Sequence, residues 1–228
     1  MAKHGKKYNE ASKLIVKEMY SLEEAVALVK QTSTMKGDAT CELHMALGLD
    51  PRQAEQNIRT TVSLPGGTGK TLRVAAFVGE ENVKAAKEAG AVEAGTTELI
   101  EKIEKGWLGF DIAVATPDQM KELGKIAKVL GQKKLMPNPK SGTVTPDFAG
   151  AIKELQGGKI ELRVDKTGIL HTVFGKVSFD EAKLMENLKT IIAKVKEIKP
   201  STAKGTYMKS ITLCTTMGPG VKVDTKGV

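Results

Sequence analysis

Between residues 67 and 156 the chain alternates strand-length apolar runs with helix-length amphipathic segments, and this alternation restricts the fold more than any other feature. Leu72–Val78 and Asp111–Ala115 read as buried strands, while Glu81–Ala89, Thr97–Gly106, Asp118–Leu130 and Asp147–Leu155 read as helices. Tight turns cannot join parallel neighbours, so strand–helix–strand succession implies a parallel sheet with helical crossovers. The expectation for 67–156 is a Rossmann-like α/β block.

The flanks carry a different pattern. Ser21 and Glu24 have the spacing of a capping box ahead of the apolar run Ala25–Val29. A strand follows in which Thr40, Glu42 and His44 alternate with Cys41, Leu43 and Met45, giving its two faces opposite character. Toward the C-terminus, Ile160, Leu162 and Val164 alternate with Glu161, Arg163 and Asp165, and the turn Asp165-Lys166-Thr167-Gly168 returns the chain through Ile169–Val173 as a hairpin. Ser178 and Glu181 repeat the capping-box spacing before a helix carrying Leu184, Leu188, Ile191, Val195 and Ile198, and Thr206–Thr215 reads as a last strand. Each flank is too small to bury a core alone. They are expected to pair into one discontinuous α+β domain, 1–66 plus 157–228, with 67–156 inserted. Pro65-Gly66-Gly67 and Gly157-Gly158 mark the crossings, and two short linkers restrict relative motion to a hinge. A single merged sheet with glycine-rich turns is the alternative.

Charge follows the same division. The chain has a net charge of +8. Residues 67–156 hold 13 basic and 12 acidic side chains, leaving 22 and 15 to the flanks, so nearly all the excess lies there. A basic surface has a polyanion as its default partner, and the 4% aromatic content argues against stacking platforms for single strands and for a folded or double-stranded nucleic acid. Apolar runs such as Val74–Val78 fall far short of the roughly 20 residues of a membrane span. The basic start Met1–Tyr8 leads into no apolar segment, so a secretory signal is not expected and the protein is placed in the cytoplasm. Cys41 and Cys214 lie far apart in strand-like runs, and His4, His44 and His171 are scattered singly, so spacing offers no metal motif and the thiols are expected to be reduced.

Other motifs narrow the chemistry. Gly66-Gly67-Thr68-Gly69-Lys70-Thr71 resembles a phosphate-binding loop, but Leu64 stands where the first glycine belongs and a strand pattern follows where a helix is required. The dinucleotide fingerprint fails at Leu72. No nucleophile elbow or Cys/His pairing is legible, and Asp118 is explained as a helix-start residue. No catalytic residue or cofactor is implied. A nucleotide-dependent enzyme built on the α/β block is the rival reading. Residues 131–144, with Pro137 and Pro139, read as a stiff, mostly extended loop. The face Thr40, Glu42, His44 is either solvated or an RNA contact surface, and Met217-Gly218-Pro219-Gly220 either ends a strand or lets RNA approach the backbone.

Several segments together resemble the bacterial ribosomal protein L-one family: Lys3-His4-Gly5-Lys6, Asp50-Pro51-Arg52 with Gln56–Arg59, Thr61–Pro65, Leu135–Lys140 with Gly142-Thr143-Val144, Asp165–Gly168 and Thr215–Pro219. The likeness covers nearly the whole chain in order. It implies a non-enzymatic constituent of the large ribosomal subunit, monomeric when free. Such a protein binds large-subunit (23S) rRNA at the mobile stalk, assists release of deacylated tRNA from the exit site and represses its own operon mRNA. Carried over by residue, the family's RNA surface falls on Lys36, Thr40, Glu42, Asp165, Lys166, His171, Ser210, Thr216, Met217 and Gly218. Gly37 stands where many members have an aromatic.

Overall fold

The computed structural model describes residues 5–225, so Lys3 and His4 of the first resemblance segment lie outside the described residues. The chain begins with α1 (Lys6–Lys13), α2 (Leu22–Gln31), β1 (Thr40–Leu47) and β2 (Arg59–Ser63). Next come β3 (Val74–Phe77), α3 (Val83–Glu88), β4 (Glu93–Ala94), α4 (Thr97–Glu104), β5 (Ile112–Ala115), α5 (Met120–Leu123), α6 (Ala127–Gln132) and α7 (Phe148–Gln156). It ends with β6 (Lys159–Arg163), β7 (Ile169–Lys176), α8 (Glu181–Glu197), β8 (Met208–Thr215) and β9 (Val221–Val223). The result is a mixed α/β protein with several sheets. Its residues group into two compact units, one taking the chain up to Gly69 and from Ile160 onward, the other Lys70–Lys159.

In the first unit an antiparallel sheet has the order β7-β1-β8-β9, with β1 inside it. Strict alternation along β1 sends Cys41, Leu43, Met45 and Leu47 inward, where they meet Leu170, Phe174, Ile211 and Leu213. Two helices cover that inner face, α2 through Ala25, Val26 and Val29 and α8 through Leu184, Leu188, Ile191 and Val195. Truncating any of these large side chains to Ala costs about 2–5 kcal/mol. The other face of the sheet is left outward.

The two helices start differently. Ser21 accepts from the Glu24 amide while the Glu24 carboxylate accepts from the Ser21 amide, the reciprocal pair expected from sequence. At α8 the expected box is absent. Asp180 is the N-cap, and Ser178 is drawn away by Asp38, whose carboxylate accepts from its amide and hydroxyl at 3.0 and 2.9 Å. A partner 140 residues away outcompeted the local one. The Ile160/Ile169 hairpin is likewise reduced to a single bridge, Val164 to Leu170, because β6 pairs with β2 and β7 with β1. The segment after Gly220 forms β9, an unexpected edge strand paired with β8.

Asn187, wholly buried on α8, accepts from the Gly66 amide at 2.9 Å and donates to the carbonyls of Gly67 (3.0 Å) and Phe174 (2.9 Å). This one side chain pins the glycine pair that precedes Thr68. The chain from Lys70 to Arg73 then enters β3 without forming a helix, so no phosphate-binding helix start exists there.

The second unit holds a parallel sheet, β4-β3-β5. β3 is buried at every position, with Ala75 and Phe77 in one apolar cluster and Val74 and Ala76 in the other, as a doubly covered strand requires. The single helix expected over 118–130 is instead divided among two short α-helices, α5 and α6, and 3-10 turns, the second of which starts at Gly124. The segment 131–144 is compact and not extended. Asn138 accepts from the Lys140 amide at 2.8 Å and starts a 3-10 turn over Pro139–Ser141; Gly142 closes it with φ 64°. Thr143, buried, accepts from the Asn138 amide at 2.8 Å, and Val144 bridges Ala115.

Candidate nucleic-acid interface

Register determines which side chains share the outward face of the antiparallel sheet. Glu42 stands opposite Cys214 and Val173, His44 opposite Thr212 and His171, and Ala46 opposite Ser210 and Ile169. Cross-strand partners lie side by side on one face. Lys176, opposite Thr40, and Lys222, opposite Thr212, add cations to the same face.

At one end of this face three expected residues are joined directly. The Thr216 amide donates to the Thr40 carbonyl at 3.0 Å, and its hydroxyl donates to Glu42 Oε1 at 3.2 Å. The Lys176 ammonium donates to Thr40 Oγ1 at 2.9 Å. Met217 follows in a left-handed conformation, φ 63°, and the residue is 76% exposed. Its carbonyl accepts from the Thr34 hydroxyl at 3.2 Å, which ties the turn carrying exposed Lys36 and Gly37 to the Met217 turn. A side chain at Gly218 would place Cβ 2.3 Å from the hydroxyl of buried Thr215, so only glycine fits without movement. An added Cβ at Gly37 would meet nothing within 4 Å.

At the other end Asp165 organises its turn. Its carboxylate accepts from the amides of Ile169 and Thr167, each at 2.8 Å, and from the Thr167 hydroxyl. Those bonds, the Ile169 amide foremost, hold its pKa down at about 2. Lys166 is exposed beside it, and a cleft of about 520 Å³ lined by Pro51, Asn57, Arg163 and Lys166 opens next to the turn.

The two ends are linked. Asp165 Oδ2 lies 3.6 Å from His171 Nε2, the Nδ1 atoms of His171 and His44 are 2.7 Å apart, and His44 Nε2 lies 3.7 Å from Glu42 Oε2. Asp165, His171, Glu42, Thr40, Thr216, Met217 and Gly218 therefore form one continuous strip. Ser210 is on the same face two β8 positions beyond Thr212, outside the bonded chain. His44 Nε2 also approaches Cys214 Sγ at 3.3 Å. Burial, and after it the neighbouring His171, lowers the His44 pKa against the pull of Glu42, and burial followed by Glu42 raises that of Cys214. On the opposite face, burial pushes the Cys41 thiol up to about 11.

The sequence profile of the Ribosomal protein L1p/L10e family matches residues 29–219. The chain belongs to the ribosomal protein L1 family. Membership gives it a structural role in the ribosome with rRNA binding, in a family that is non-enzymatic. The nucleotide-dependent enzyme is not favoured. Among the described residues, no helix is long and apolar enough to cross a membrane.

Sequence reasoning missed Lys176, Lys222, Thr34 and Cys214. The period-two pattern of β7, β8 and β9 would have found the lysines and the cysteine once the strand pairing was known. Thr34 sits in irregular chain and carries no such signal.

Proposed function

We propose that the outward face of the β7-β1-β8-β9 sheet, extended by the Asp165-Lys166 and Met217-Gly218 turns, binds large-subunit (23S) rRNA at the mobile stalk. The observation that carries this reading is the bonded cluster Thr40–Glu42–Thr216 set beside an exposed, left-handed Met217. Lys36, Lys166, Lys176 and Lys222 supply the phosphate contacts that give affinity without sequence information. Glu42 repels phosphate, so at this surface it acts as an acceptor for ribose 2′-hydroxyls or exocyclic amines and confers selectivity. Met217 offers an apolar contact to a ribose or base.

On this reading residues 1–66 with 157–228 form the RNA-gripping α+β domain. The inserted 67–156 block moves on its two linkers, assists release of deacylated tRNA from the exit site, and leaves the grip undisturbed. The same surface represses the chain's own operon mRNA wherever that message presents an rRNA-like site. The decisive experiment is binding of a labelled stalk rRNA fragment at physiological salt in competition with bulk RNA. Retained binding supports the reading, and displacement by an equal mass of unrelated duplex defeats it. A chain joining residue 69 to residue 160 by a short linker is expected to bind nearly as well as the whole, and loss of most affinity would remove the division of labour.

A further inference from the structure

We propose that Glu42, His44 and Cys214 form a site for a single thiophilic divalent ion of the zinc class on the outward face of the sheet. One donor atom from each lies within 4.8 Å of the other two, with Nε2–Sγ at 3.3 Å and Nε2–Oε2 at 3.7 Å. Metal–ligand bonds of about 2.0–2.3 Å in tetrahedral geometry separate adjacent donors by about 3.3–3.6 Å. The Nε2–Sγ distance falls in that range, Nε2–Oε2 is just beyond it, and the sulfur-to-carboxylate pair closes the triangle within 4.8 Å.

The directions of the donors agree. Asp165 Oδ2 lies 3.6 Å from His171 Nε2, and in the tautomer that turns Nε2–H toward this acceptor-only carboxylate, His171 offers a lone pair at Nδ1. His44 Nδ1, 2.7 Å away, must then donate, which leaves the lone pair of its Nε2 aimed at Glu42 and Cys214. Without a cation, the Cys214 thiol at 3.3 Å donates to that lone pair. Thr216 occupies Glu42 Oε1 and leaves Oε2 for the ion. Carboxylate and carbonyl partners that fix the tautomer and orientation of a ligating histidine are the usual outer shell of zinc sites, here supplied through His171.

The donor set selects the ion. Calcium and magnesium take six or more oxygens, whereas one thiolate, one imidazole and one carboxylate suit zinc. Thiolate and carboxylate together neutralise a divalent charge. Binding breaks the Cys214 S–H bond as the metal–sulfur bond forms, and the proton passes to buffer. Three protein ligands leave a fourth position on the exposed side, where His44 and Glu42 retain 29% and 36% of their side-chain exposure. The site belongs to the free chain and does not depend on the RNA reading.

The test uses the full-length chain, stripped with chelator and titrated with Co²⁺ alone. The expected result is one ion per chain, with a thiolate-to-cobalt charge-transfer band and the strong visible absorption of a four-coordinate ion, both bleached by Zn²⁺. Cys214→Ser and His44→Gln abolish the band, while Cys41→Ala keeps it, because Cys41 lies on the covered face. His171→Leu retains the band but weakens binding by about 10–100-fold. In the unmodified chain, equimolar Zn²⁺ protects Cys214 from alkylation, which needs no variant to fold. Absence of a thiolate band at stoichiometric cobalt, or a band that survives Cys214→Ser, overturns the proposal.

Discussion

Replacing Thr216 by Val keeps its shape and removes one hydroxyl, whose principal partner is Glu42 Oε1 at 3.2 Å. In the free chain that carboxylate is 36% exposed, and water replaces the lost donor, so the stability change is expected to stay within about 0.5 kcal/mol. Under RNA the same carboxylate is dehydrated. A hydrogen bond to a charged group shielded from water then contributes about 1–3 kcal/mol, which is about a 5–150-fold loss of affinity. The assay is fluorescence anisotropy with the stalk rRNA fragment at several salt concentrations. Thr216 neutralises no phosphate, so the slope of log affinity against log salt is expected to be unchanged while the whole line drops. An unchanged affinity would remove Thr216 from the interface; a changed slope would show that the variant disturbs the lysines, refuting the assigned role.

Three further outcomes follow from the same geometry. Asn187→Leu strands a buried Phe174 carbonyl and two part-buried glycine groups, with an expected loss of about 2–6 kcal/mol in urea unfolding; a loss under about 1 kcal/mol would contradict the pinning role. Gly37→Phe enters open space, and is expected to leave stability within about 0.5 kcal/mol of the parent. It should also tighten rRNA binding by about 1–3 kcal/mol through base stacking, and no gain would exclude the Lys36-Gly37 turn from the interface. Acid should weaken the fold in two windows. The neutral His44 ring, its pKa held below 6.5, stabilises fully above that pH and loses its contribution as pH falls below it. Asp165, at about 2 against 3.8, contributes above 3.8 and loses its part as pH falls toward 2. Asp165→Asn should shrink the lower step of the melting-temperature profile, which Asp111, held at about 2 chiefly by its hydrogen bond from Arg73, also feeds, and leave the upper.

Local signals were legible where they decided the structure locally. The Ser21/Glu24 pair needs only its own turn, and the alternation along β1 needs only its own pleat; both appear as read. Ser178/Glu181 has the same spacing as Ser21/Glu24, yet Asp38 captures Ser178, and nothing in a window of ten residues shows Asp38. β9 escaped because three residues are too short a run to read as a strand by alternation, and pairing with β8 is what shows it. The 118–130 segment has helical periodicity, but Pro117 at its start and Gly124 in its middle divide it into short turns. Sequence spacing showed no metal motif for the same reason that it hid Cys214. His44 and Cys214 lie 170 residues apart and meet only because antiparallel pairing places Glu42 opposite Cys214.

The claim that RNA covers the outward face of this sheet can be tested on the chain's own two thiols. Cys214 is half-buried on that face and Cys41 is fully buried on the other. The measurement is the alkylation rate of Cys214, with chelator present, as the stalk rRNA fragment is titrated to saturation. The account predicts that alkylation of Cys214 slows in proportion to the fraction of chain bound, while unrelated duplex at the same concentration leaves it unchanged. A Cys214 that reacts at its free rate when the RNA site is full would place the RNA elsewhere.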